Sequence, residues 1–145
     1  MKTCVVFLVL LSVTMGLTAQ DAGEKEREAI RKTAQLYVDS FNNRDAKGIA
    51  TAFHPVAVLY AAGQNGLSEF PRWRWVENLE KNPAKPADWV PYTAKITVLD
   101  VADTAAVAKV ELAHPTHQFV DYLSMLKLDG AWRIVGKVYH RKGKK

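Results

Sequence analysis

Cysteine is almost absent from this chain. The single one, Cys4, lies in an apolar run at the very start. A disulfide framework is therefore excluded, and so are cysteine-rich metal sites and a cysteine nucleophile in the body of the chain. No phosphate-cradling glycine loop, dinucleotide fingerprint or serine-nucleophile motif is present. His114 and His117 have ligand-like spacing, but Pro115 lies between them and no cysteine or clustered acid joins them. No metal and no cofactor is expected. The only long apolar run, residues 4–13, is too short to span a bilayer. Apart from the basic stretch His140-Arg141-Lys142-Gly143-Lys144-Lys145, there is no strong block of one charge. That tail has no interleaved aromatics to stack on bases, so it reads as solvated and frayed, with no nucleic-acid partner.

What is present begins with an export signal. Lys2 supplies a positive start, the run 4–13 is broken only by Ser12, and Ala19 is a small residue before a cut ahead of Gln20. The expected product is secreted or periplasmic and free of the membrane. Removing 19 of 145 residues leaves 126, enough for one domain, 20–145, ending in the basic tail. Losing Lys2 lowers the formal charge from +5 to +4. With 48% hydrophobic residues, packing has to supply the stability.

Ile30, Ala34, Tyr37 and Phe41 recur at helical steps and predict a helix over 24–41. Asp45 is a natural cap for a second short helix, through residue 52. A strand is expected over 56–61, a turn at 63–66, and a helix over 71–81 with Pro71 in its first turn and Trp75, Val76 and Leu79 buried. After a proline-rich loop, four strands are predicted over 92–101, 105–114, 117–128 and 131–140. Helices first and strands afterward predict an α+β domain with helices on one sheet face.

The last hairpin carries the functional question. Asp129-Gly130 fits a two-residue turn, which sets Leu128 opposite Ala131 and Lys127 opposite Trp132. Continued outward without interruption, that register puts Lys127, Met125, Leu123, Asp121 and Phe119 on one face with Trp132, Ile134, Gly136, Val138 and His140. This is the more apolar face, so Asp121 is expected to point inward, about 7–8 Å from His140 across the diagonal. Arg133 and Lys137 mark the other face as outward. The remaining apolar residues of that face, Leu126, Leu128, Val120, Tyr122, Val135 and Tyr139, predict that a second copy covers it. His114 falls in phase with the inward set Ala106, Ala108, Val110 and Leu112. Trp75, Trp132 and Tyr60 are the large rings available to line or fill a cavity.

YVDSFNNRDAKGIATAF (37–53), followed by His54-Pro55 and a strand, resembles the opening of nuclear transport factor 2-like domains. FVDYLSMLKLDGAWRIVGKV (119–138) resembles the closing hairpin of their lumazine-binding branch. The resemblance implies a cone-shaped α+β barrel, a curved antiparallel sheet wrapped around the N-terminal helices. It further implies a cavity at the open end, a homodimer through the sheet's outer face, and a pteridine-like ligand. Laid beside the related ketosteroid isomerases, Tyr37 takes the place of their oxyanion-hole tyrosine and Asp121 that of their oxyanion-hole acid. Their general base falls on Ala61, which cannot take a proton, and Val56 stands where an acid is usual.

The expected function is therefore an exported protein that holds a small, flat, partly apolar ligand. Its expected contacts are Tyr37, Asp121, His140, His114, Tyr60, Trp75 and Trp132. The alternative is an isomerase, dehydratase or cyclase with a histidine base and an enolate held by Tyr37 and Asp121.

Overall fold

The computed structural model describes the backbone of residues 11–143 and the side chains of residues 20–143. Most of the expected signal segment thus lies outside the described residues, as do Lys144 and Lys145. The elements are α1 (Leu11–Asn43), α2 (Ala46–Ala52), β1 (Phe53–Gly63), β2 (Gly66–Pro71), α3 (Arg72–Lys81), β3 (Thr93–Ala102), β4 (Ala105–Ala113), β5 (His117–Leu128) and β6 (Ala131–Gly143). The strands form one sheet in the order β2-β1-β6-β5-β4-β3. It is antiparallel throughout except where β1 lies parallel to β6. The α+β cone expected from the sequence is what the chain adopts.

Helix α1 buries Ile30, Ala34, Tyr37 and Val38, the stripe that the helical spacing requires. It begins well before residue 24, because the stripe marks only the part that packs on the sheet. Arg44 in the left-handed region (φ 55°) ends it, and the Asp45 N–H donates back to the Ser40 carbonyl at 2.8 Å. Asp45 then caps α2 by accepting from the Lys47 N–H at 3.0 Å. Gly48 lets the two helices meet: a Cβ there would fall 1.9 Å from the Ser40 Oγ.

Strand β2 follows the turn at 63–66 and was not expected. Its six residues are largely exposed, so they show no clear alternation, and Pro71 closes this edge strand without disturbing a ladder. Pro71 is the N-cap of α3 rather than a residue of its first turn. The basic tail is less frayed than expected, since Arg141, Lys142 and Gly143 extend β6 opposite Phe119, Gln118 and His117.

The decisive feature is in the closing hairpin. Asp129 and Gly130 both have positive φ (50° and 78°), and the register begins as expected, with Lys127 opposite Trp132 and Met125 opposite Ile134. Ser124 then pairs with Gly136, so Val135 is an extra residue in β6. Strand β5 keeps its parity, with Asp121, Leu123 and Met125 all buried. Beyond the bulge β6 reverses: Lys137 is 7% exposed inside the cone, whereas Val138 is 57% exposed outside it. His140 is likewise exposed, which corrects its expected inward position.

Candidate active site

Three polar groups meet under the helical layer. Tyr37 comes from the last two turns of α1, Asp121 from β5 and Lys137 from β6 just past the bulge. The Tyr37 hydroxyl donates to Asp121 Oδ2 at 2.5 Å. Lys137 Nζ donates to the Tyr37 oxygen at 3.0 Å and to the same Asp121 oxygen at 3.2 Å. Asp121 and Tyr37 are fully buried. Taking an ion pair this deep costs several kcal/mol per ion, which only close pairing and further hydrogen bonds offset. Here each charged group has both. The remaining Asp121 oxygen, Oδ1, is buried without a hydrogen-bond partner among the described residues.

Rings complete the surroundings of the amine. Its nitrogen lies 4.8 Å from the ring centre of Tyr139, 5.1 Å from that of Tyr37 and 5.6 Å from that of Trp75. Such faces attract a cation and exclude water at once. Tyr37 is itself held edge-on by Phe53 at 5.3 Å and by Trp75 at 6.0 Å. Burial pushes the Tyr37 phenol well above its usual range, with the Asp121 charge acting in the same sense, so it remains a proton donor. Burial also lowers the Lys137 amine below its usual value, against the opposing pull of Asp121.

A cavity of about 180 Å³ opens beside these groups, lined by Tyr37, Phe41, Trp75, Phe119, Lys137 and Tyr139 together with Leu59, Phe70 and Leu112. A dry cavity of ~150 Å³ holds a benzene molecule, so this one suits a ligand of about one ring or a short branched chain. Its walls are apolar, and Tyr37 and Lys137 supply the polar groups deep inside. An ammonium has three N–H donors, and two are engaged by Tyr37 and Asp121. The third can serve a ligand.

Of the residues expected from the sequence, the fold brings Tyr37, Asp121 and Trp75 together. Asp121 does not line the cavity, however. It accepts from Tyr37 and Lys137 behind them rather than donating to a ligand as an oxyanion-hole acid would. His114 stacks on His117 at 4.6 Å and Tyr92 at 5.1 Å, outside the cavity wall. Tyr60 pairs with the exposed Val138 and so belongs to the outer sheet face, because β1 alternates and Leu59 is the buried neighbour. Trp132 is buried away from the cavity, where its Nε1 donates to Glu26 at 2.8 Å. With His140 exposed, none of the histidines considered as a base reaches the cavity.

Lys137 is the residue that sequence reasoning missed. Gly136 carried a usable signal, since an isolated glycine inside a strand often marks a bulge. A bulge one residue before it turns Lys137 inward.

The sequence matches the family described as "Putative lumazine-binding" over residues 25–140, a span that contains Tyr37, Asp121 and Lys137. The chain belongs to this family. It is 27% identical over 124 residues to a protein named aldolase FrzH from a Cladobotryum species, covering 84% of this chain and 96% of that one. Among solved structures, a nuclear transport factor 2-like protein of unknown function from Silicibacter pomeroyi DSS-3 superposes with a TM-score of 0.70. It is 23% identical, covering 83% of this chain and 98% of that one. A nuclear transport factor 2-like protein of unknown function from Methylobacillus flagellatus KT gives a TM-score of 0.66 at 26% identity, covering 81% and 92%. The chain is thus a member of the nuclear transport factor 2-like superfamily, whose fold suits small-molecule binding or isomerase-like chemistry.

Proposed function

We propose that this protein is an enzyme that makes or breaks a carbon–carbon bond next to the carbonyl of a small, partly apolar compound, in the manner of an aldolase. The observation that carries this reading is the buried Lys137–Tyr37–Asp121 cluster at the wall of an apolar cavity. Aldol-type chemistry leaves an electron pair on the carbon beside a carbonyl, and an enzyme must spread that charge onto a neighbouring group. Lys137 offers an N–H donor in a water-poor site, where such a donor counts for far more than in solution, and Tyr37, whose own proton goes to Asp121, holds the amine in place. Asp121 positions both and balances the ammonium charge. The name of the Cladobotryum relative supports the same class of reaction. A protein that only binds needs no buried cation among three rings, which is why the enzymatic reading is preferred.

The test is retro-aldol turnover of the β-hydroxyketone derived from benzaldehyde and acetone, followed by release of benzaldehyde. Tyr37→Phe is expected to lower the rate by about 10²-fold, because the hydroxyl that holds both the amine and Asp121 in place is lost. Full turnover in both Tyr37→Phe and Lys137→Met would refute the assignment of the site. On the same reading the chain is exported after loss of residues 1–19 and is homodimeric through the outer sheet face, where Val107, Tyr122, Leu126 and Val138 are exposed. N-terminal sequencing of the secreted product and sedimentation of the purified protein test these two points.

A further inference from the structure

Resting on the carbonyl-directed reading above, we infer that Lys137 acts covalently. Its amine adds to the substrate carbonyl carbon and forms an imine, so that nitrogen rather than an oxyanion receives the electron pair.

The geometry separates this lysine from the others. Its Nζ sits between the Tyr37, Trp75 and Tyr139 rings, and Lys137 lines the cavity together with all three. An ion pair serving only stability has no need of a cavity at its nitrogen. The desolvated setting also favours the neutral, nucleophilic amine, as it does for other imine-forming lysines. Tyr37 stands 3.0 Å from the nitrogen and keeps its proton, the place and state required of a proton relay.

The step balances without an outside oxidant or reductant. The Nζ lone pair forms the N–C bond while the C=O π pair moves to oxygen, which takes the Tyr37 proton. The nitrogen then gives a proton back to Tyr37. In the second half the nitrogen lone pair forms the C=N bond, the C–O bond breaks, and the oxygen leaves as water with the proton that the Lys137 ammonium gave up on becoming neutral, held meanwhile by Asp121 Oδ2 and passed on through Tyr37. The iminium charge remains beside Asp121 Oδ2, which now faces the ammonium at 3.2 Å. When the neighbouring C–C bond breaks, its electrons neutralise that nitrogen as an enamine, and the β-hydroxyl proton passes through Tyr37 to Asp121 as the aldehyde forms. Asp121 is a positioning residue in this scheme, since it touches Lys137 and Tyr37 and not the substrate.

Acetylacetone is the probe. It condenses with an amine, losing water, to a conjugated enaminone that absorbs in the near ultraviolet, and it is small enough for the cavity. The expected result is one adduct per chain, mapped by peptide mass spectrometry to Lys137 and formed about 10²-fold faster than at surface lysines. Because the mapping uses the unmodified protein, no variant has to fold. Lys137→Arg, which keeps the charge but lacks a primary amine, should form no fast adduct and should not turn over the hydroxyketone. Adducts confined to surface lysines would overturn the covalent step, and so would wild-type turnover in Lys137→Arg. If turnover is present and Tyr37-dependent while Lys137 stays unmodified, the imine is wrong and the aldol-type reading stands. If ligand-observed NMR shows that no carbonyl compound enters the cavity, both fall.

Discussion

Replacing Lys137 by methionine removes an ammonium while keeping most of the stem that packs on Tyr37, Trp75 and Tyr139. In the folded protein this strips Asp121 of its only ion-pair partner among the described residues. Oδ2 keeps the Tyr37 hydrogen bond and Oδ1 still has none, so a carboxylate with no exposure is left almost uncompensated. Breaking one side of such a buried pair costs about 3–5 kcal/mol. At roughly 3 °C per kcal/mol for a domain of this size, the melting temperature should fall by about 10–15 °C. Asp121→Asn should cost a similar amount by stranding the cation. The double variant removes both charges, and its cost should fall short of the sum of the two singles by about 2–3 kcal/mol, the coupling typical of groups in one network. Urea unfolding followed by circular dichroism and by tryptophan fluorescence measures all four proteins. Additive costs, within about 0.5 kcal/mol, would show that the two groups do not act as a buried pair, and the site as described would be wrong.

The pH dependence of stability has a definite sign. Lys137 is lowered from 10.5 in the folded state, so the unfolded chain binds the extra proton between the two values. Its contribution is therefore full above pH 10.5 and is lost as pH falls through the folded value. Tyr37 is raised above 10.0, so its contribution is present below pH 10 and lost as pH climbs beyond it. Wild type should thus gain stability relative to Lys137→Met as pH rises toward 10.5, and Tyr37→Phe should remove part of the decline above pH 10. Parallel pH profiles for the three proteins would contradict both shifts. Gly48→Ala should cost about 1–3 kcal/mol by overpacking against Ser40 and Asp45, as read by thermal melting, and an unchanged melting temperature would mean the helices can separate freely. Deleting Val135 should remove the bulge yet keep Gly136 opposite Ser124 and Lys137 opposite the buried Leu123, so turnover of the hydroxyketone should survive, whereas its loss would show that the local geometry of the bulge itself aims the amine.

The position of Asp121 follows from local rules alone. A tight Asp-Gly turn sets the pairing, alternation carries it along β5, and no irregularity intervenes on that strand. The helical stripe that buries Tyr37 is equally local, and so is the succession of helices and strands that defines the cone. Lys137 lay beyond that reach. Its orientation depends on one extra residue in β6, and the parallel pairing of Leu59 with Lys137 and of Tyr60 with Val138 agrees with the reversed parity. Strand pairing of that kind is a property of the assembled sheet, because a single inserted residue exchanges inside for outside along everything after it. The same reversal moved His140 to the surface, so the strand lost its expected histidine and gained an amine. The sequence determined that a phenol and a carboxyl would share the interior. Only the folded sheet decided that their third partner is a lysine, since which face a strand presents depends on neighbours distant in the chain.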